Sequence, residues 1–293
     1  MKIIYFANFK NENSDRTEQH IKKAFEDLGH EVICYDETSV KEPNDMLTVA
    51  QDADMFLFHK AGVEGVISLN QLTSILTHIT CPKVCWYFDK IEGNTERMQY
   101  INLVSKYADK VFVTDRTFIR RHKDHKLEYL PQGYGNIDYV SKIKEYTNGI
   151  VFIGNPYGER EEFVTNLFRR YGKLFKVTNS HFNEDLIDMC KSSKIIVAPE
   201  FPSDDFYWSS RLYLILGSGG FLIHPDLFGI KEDGELTEGK HFAGYRGYKE
   251  LFDVIEYYME HDEERERIKA QGIAKVRSTL TYKDRIRQLI NRR

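Results

Sequence analysis

The chain has 293 residues, 41% hydrophobic and 29% charged, with 41 basic and 45 acidic side chains and a net charge of −4. That composition excludes a disordered or low-complexity chain, and the missing basic excess argues against a dedicated nucleic-acid binder. The length suits two α/β domains of roughly 140 residues each.

The opening Met1-Lys2-Ile3-Ile4-Tyr5-Phe6 is too short an apolar run for a signal peptide. No segment reaches the ~18 apolar residues of a membrane span. Residues 3–7 read as a buried strand. Residues 16–28 follow as a helix, with Ile21, Ala24, Phe25 and Leu28 on one face and Gly29 as its stop. Strands are expected at 31–35, 55–58, 84–88 and 111–113, with helices around 66–77 and 97–107. Between 130 and 148, Pro131, Gly133, Gly135 and Asn136 interrupt regular structure, so the interdomain linker is placed there. The alternation restarts with strands at 150–153, 174–177, 195–198 and 221–223. Helices are expected at 159–171, 185–191, 210–216, 248–260, 262–278 and 283–291. Strands separated by helices imply parallel sheets with crossover connections. The reading is α/β with two doubly wound domains, 1–140 and 149–293, the second ending in a helical tail free to cross back to the first domain.

Ligands of open α/β sheets bind beyond the carboxyl ends of the strands. Three segments stand there. In Tyr207-Trp208-Ser209-Ser210-Arg211-Leu212-Tyr213, Ser209 and Ser210 are candidate N-caps, and Arg211 adds a guanidinium at a helix start. An ordinary capped helix with a surface arginine reads equally well. In Ile153-Gly154-Asn155-Pro156-Tyr157-Gly158-Glu159-Arg160, Gly154 lets backbone approach an anion and Arg160 lies in the first helical turn, although strand–Gly–helix joints are common. In Trp86-Tyr87-Phe88-Asp89, Asp89 is a candidate general base or else a loop-capping carboxylate. His59, after the strand at 55–58, is a second candidate base or a structural histidine. The polar loop at 8–17 has the length to contact an acceptor. Basic residues cluster at Arg116, Arg120, Arg121, Lys123 and Lys126, on or near one first-domain helix, and again from Lys275 to Arg293. Such clusters are solvated faces or docking surfaces for an anionic acceptor. Of the four cysteines, Cys81 and Cys85 lack the paired spacing of a zinc site; with Cys34 and Cys190 they read as reduced thiols of a cytoplasmic protein.

The segment from Arg211 through Gly219-Gly220-Phe221-Leu222 resembles the glycosyltransferases grouped with spore-maturation proteins, relatives of the family-1 and family-4 GT-B enzymes. The resemblance continues in order through Glu238-Gly239-Lys240, Tyr257-Tyr258, Glu263-Glu264-Arg265, Gly272, Thr281-Tyr282 and Arg285. In the first half it includes 24–32, Trp86-Tyr87-Phe88-Asp89 and Tyr129-Leu130-Pro131-Gln132-Gly133. It implies a GT-B fold: two Rossmann-like domains facing a cleft, the first for acceptor and the second for nucleotide sugar. It also implies transfer of a hexose or pentose from an NDP-sugar to a hydroxyl, without an obligatory metal and without a cofactor. Arg160 and Arg211 match the diphosphate-binding positions, Gly154 and Asn155 the donor loop, and Glu238 a nucleotide-sugar contact. Two positions depart from the pattern: Leu214 stands where the family has an acid, and Leu280 where a histidine precedes Thr-Tyr. The acceptor is open to glycan, lipid-linked or nucleic-acid hydroxyls. The alternatives are a phage-type glycosyltransferase of hydroxymethylated DNA bases and a catalytically silent nucleotide-binding or assembly protein on the same scaffold.

Overall fold

The computed structural model describes residues 1–9, 17–38, 44–60, 67–124, 126–135, 137, 139–178, 183–201 and 203–293. Most of the expected acceptor loop at 8–17, the start of the helix expected at 66–77, and Asn136 of the linker lie outside these residues. The chain divides into two compact units, one of Met1–Gln132 with Tyr282–Arg293 and one of Gly133–Thr281.

The first unit runs β1 (Lys2–Ala7), α1 (Thr17–Asp27), β2 (Glu31–Asp36), α2 (Asn44–Ala50), β3 (Met55–Phe58), α3 (Leu69–His78), β4 (Lys83–Tyr87), α4 (Thr95–Val104), β5 (Lys110–Val113), α5 (Arg116–Arg121) and β6 (Leu127–Tyr129). Its six strands are all parallel, in the order β2-β1-β3-β4-β5-β6. Side chains alternate between two buried faces. Ile4, Phe6, Phe56, Phe58, Cys85 and Tyr87 share one core; Ile3, Tyr5, Leu57, Val84, Trp86 and Phe112 share the other. Burial on both faces explains why these strands read as continuous apolar runs.

The second unit runs β7 (Asn148–Ile153), α6 (Glu159–Tyr171), β8 (Phe175–Thr178), α7 (Asn183–Ser192), β9 (Ser193–Val197), α8 (Arg211–Gly217), β10 (Leu222–Pro225), α9 (Phe228–Asp233), β11 (Ala243–Tyr245), α10 (Gly247–Glu260) and α11 (Asp262–Thr279). Its five parallel strands are ordered β11-β10-β9-β7-β8. The joint after α8 is tightly packed: a side chain at Gly217 would overlap the ring of Tyr134.

The last helix, α12 (Tyr282–Arg292), is part of the first unit. Tyr282, Ile286 and Leu289 join the core that holds Phe25 and Trp86. Burying an Ile or Leu side chain contributes roughly 1.5–3 kcal/mol. Arg285, on the same helical face, is fully buried and donates from Nε to Gln132 O at 3.1 Å. Elements α2, β6, α9 and β11 have no counterpart in the sequence reading. Two are three-residue strands and two are helices of six or seven residues, too short for a period of 2 or 3.6 to stand out. Among the described residues no helix is long and apolar enough to cross a membrane.

Candidate functional site

Within the second unit, β9 and β10 are neighbours, with Ile223 opposite Val197. This register places His224 beside the segment Ala198-Pro199-Glu200 that leaves β9. Helix α8 begins nearby at Arg211. The three side chains meet around Glu200, which is 4% exposed. Glu200 Oε1 accepts from Ser209 N at 3.1 Å and Ser209 Oγ at 2.8 Å. His224 Nε2 lies 3.2 Å from the same oxygen, and its Nδ1 lies 2.9 Å from Pro225 O. Both ring nitrogens of His224 therefore lie against oxygen atoms, one of them the Glu200 carboxylate. Burial pushes the Glu200 carboxyl up, but the His224 hydrogen bond and the charges of Arg211 and His224 outweigh it. Its pKa falls below the ordinary glutamate value.

Arg211 is held on three sides. Nη2 donates to Pro199 O at 2.7 Å and meets Glu200 Oε2 at 3.4 Å, while Nε donates to Ser209 Oγ at 3.2 Å. Nη1 is buried and has no hydrogen-bond partner. It faces Gly154, where β7 ends: a Cβ on Gly154 would lie 3.6 Å from Nη1 and 3.2 Å from Phe152 Cζ. Gly154 has φ +148°, a conformation side-chain-bearing residues rarely adopt. An unpartnered buried guanidinium nitrogen is unfavourable by about 1–3 kcal/mol or more, and an anionic oxygen would relieve it.

Glu200 also forms part of the wall of a cavity of about 550 Å³ beyond the ends of β9, β10 and β11. That volume lies within the range of small-molecule sites, ~300–1,000 Å³. Phe163, Phe201, Tyr245 and Tyr248 supply aromatic walls, and Asp226 and Arg246 supply charge. Asp226 is gripped by Lys231 and Arg246, each at 2.8 Å. Burial raises its pKa, but these two cations outweigh it and lower the value.

The expected site residues divide. Gly154, Ser209 and Arg211 come together. Asn155 is exposed, and the Arg160 guanidinium sits 4.9 Å above its own neighbour Tyr157. Neither Ser209 nor Ser210 caps α8 as expected: Ser210 occupies the N-cap position without a side-chain bond, and the Ser209 hydroxyl is engaged by Glu200 and Arg211. The seven-residue helix thus contributes its arginine rather than a capped N-terminus. Glu238 is exposed, with its carboxylate 3.3 Å from Gly244 N. Leu214, on α8, is partly buried. Sequence reading missed Glu200 and His224. The carboxyl-end rule that selected Asp89 would also have selected Glu200, three residues beyond Val197.

In the first unit, Asp89 follows β4 and is partly exposed. It is ion-paired with Lys60 and lies 3.7 Å from Arg97. His59 as a general base needs correction. It is 4% exposed, and both ring nitrogens are occupied, Nδ1 by Trp86 O at 2.7 Å and Nε2 by the Tyr5 hydroxyl. Burial lowers its pKa to about 3. It is a neutral structural histidine fastening β1, β3 and β4 together.

Several solved structures share this architecture over nearly their whole length. An α-glucosyltransferase in complex with UDP-glucose and DNA containing an abasic site aligns with a TM-score of 0.71 at 10% identity, covering 99% of this chain and 98% of its own. Sucrose-phosphate synthase from Thermosynechococcus elongatus aligns with a TM-score of 0.69 at 10% identity, covering 100% and 98%. HepE from Anabaena in complex with UDP-glucose aligns with a TM-score of 0.64 at 11% identity, covering 100% and 99%. These likenesses establish the GT-B fold. No curated protein sequence matches the chain significantly. The family model described as glycosyl transferase-like matches residues 141–291, more than half of the chain and almost all of the unit that carries Glu200, Arg211 and His224. The chain therefore belongs to the glycosyl transferase-like family and is a glycosyltransferase of the GT-B type.

Proposed function

We propose that the second unit binds a nucleoside diphosphate sugar, with the diphosphate on Arg211 and the nucleoside in the adjoining aromatic cavity. The sugar then passes to a hydroxyl acceptor. The observation that carries this reading is Arg211 Nη1, buried against Gly154 without a partner. UDP-glucose in two of the similar structures supports the same donor class. In the reaction the acceptor oxygen bonds to the anomeric carbon, the bond from that carbon to the diphosphate breaks, and the acceptor proton leaves. The guanidinium takes up the charge developing on the departing diphosphate, a role that needs no obligatory metal. If the reaction inverts the anomeric centre, Asp89 is the base that receives the proton. The four cysteines are free thiols, which supports a cytoplasmic setting.

The test is thermal stabilisation by UDP, GDP, CDP, ADP and dTDP, since a ligand of the native state raises the melting temperature. One nucleotide should stabilise the protein, and Arg211→Ala should sharply reduce that shift. No shift with any of the five, or an undiminished shift in folded Arg211→Ala, removes the diphosphate from this position. Donor hydrolysis or transfer by the stabilised protein separates an active enzyme from a silent nucleotide binder. A second reading, a DNA acceptor, is favoured by the DNA in the α-glucosyltransferase complex. Against it, Arg121 pairs with Glu92 and Lys126 donates to the carbonyls of Ser105 and Ala108. Duplex binding that weakens steeply with salt would decide for DNA.

A further inference from the structure

We propose that Glu200 is the positioning residue of the Arg211 anion site, fixing which guanidinium nitrogen is left for a diphosphate oxygen. The inference rests on the donor reading above and assigns a residue that the family pattern did not indicate. Its basis is how the two carboxylate oxygens are used. Oε1 takes three contacts, from Ser209 N, Ser209 Oγ and His224 Nε2. Oε2 is left facing Arg211 Nη2 at 3.4 Å. Oε1 is thus taken up by Ser209 and His224, while Oε2 holds the Arg211 guanidinium through a buried ion pair on its Nη2 side. Pro199 O and Ser209 Oγ complete the hold on Nη2 and Nε. The only nitrogen left over is Nη1, on the side of Gly154. A guanidinium gives directional, bidentate recognition only when its plane is set in advance, and Glu200 is the buried group that links the arginine to the body of the sheet through His224 on β10.

The experiment is a double-mutant cycle read as the dissociation constant of whichever of the five nucleotides binds most tightly. Wild type, Glu200→Gln, Arg211→Ala and the double variant are compared, each checked for folding by circular dichroism. Glu200→Gln should weaken binding about tenfold, the loss of one charge-assisted contact. In the Arg211→Ala background it should add nothing, because its effect passes through the arginine. A purely structural carboxylate would weaken binding equally in both backgrounds, and that result overturns the proposal. So does Glu200→Gln binding as wild type while Arg211→Ala has lost affinity, which leaves the donor reading intact. Normal binding by Arg211→Ala overturns both. If Glu200→Gln does not fold, Ser209→Ala replaces it, since the Ser209 hydroxyl bridges the two side chains. Its expected loss is about threefold, again absent without Arg211.

Discussion

The two units place chemistry at the same topological position, the carboxyl ends of central parallel strands, and resolve it in opposite ways. In the first unit His59 turns inward, its ring held between Tyr5 and Trp86, and Asp89 pairs with Lys60 and Arg97. In the second unit His224 is just as deeply buried, yet both its nitrogens face acceptors and one of them is a carboxylate. That carboxylate also braces Arg211, and the arrangement ends in one buried nitrogen without a partner. The contrast is between a histidine whose two ring nitrogens are both taken up and a cluster that leaves one buried guanidinium nitrogen without a hydrogen-bond partner.

The largest expected effect on stability tests the closed network. The His59 pKa is lowered from 6.5 to about 3, so the unfolded chain takes up a proton there before the native one. Its contribution to stability is complete above pH 6.5 and declines as the pH falls toward 3. Urea unfolding should find the protein weaker by about 2–3 kcal/mol near pH 4.5 than near pH 7, and His59→Gln should lose most of that dependence. The Glu200 pKa is lowered from 4.5, so its contribution is intact above 4.5 and disappears only on further acidification. Of these two groups, acid should therefore act on His59 before Glu200, and an unchanged acid dependence in His59→Gln would break the contrast.

The largest expected effect on catalysis is that of Asp89→Asn. As the acceptor base of an inverting reaction it should lower kcat by about 10²–10³-fold with little change in nucleotide affinity. An unchanged kcat in assays of sugar transfer would return Asp89 to a purely ion-pairing role beside Lys60 and Arg97. Gly154→Val comes third. Its side chain would press on Phe152 and fill the space beside Arg211 Nη1 in a strained backbone conformation. Nucleotide affinity measured by calorimetry should fall about tenfold or more, with a stability loss of roughly 1–3 kcal/mol. The smallest effect belongs to Glu238→Ala. The residue is exposed and makes no contact with Arg211 or Glu200 among the hydrogen bonds and ion pairs described, so nucleotide affinity and stability should stay within about 0.5 kcal/mol of wild type. A tenfold loss of affinity in that variant would extend the site to the turn before β11.

The sequence by itself determined the parallel α/β class and its two sheets, because strands buried on both faces must be apolar throughout and their crossover helices carry a readable 3.6-residue period. It also singled out the segment around Arg211 as a candidate, since polar residues and an arginine at a helix start suit an anion. Only the tertiary structure decided which of those residues act together. Glu200 and His224 lie 24 positions apart and meet through the pairing of β9 with β10, a register that no local pattern encodes. His59 and Asp89 looked alike as candidates, and burial separated them, because the cost of charging a side chain depends on neighbours brought from distant parts of the chain. The placement of α12 follows the same logic. Its apolar face was legible, but the core it completes was set by three-dimensional packing.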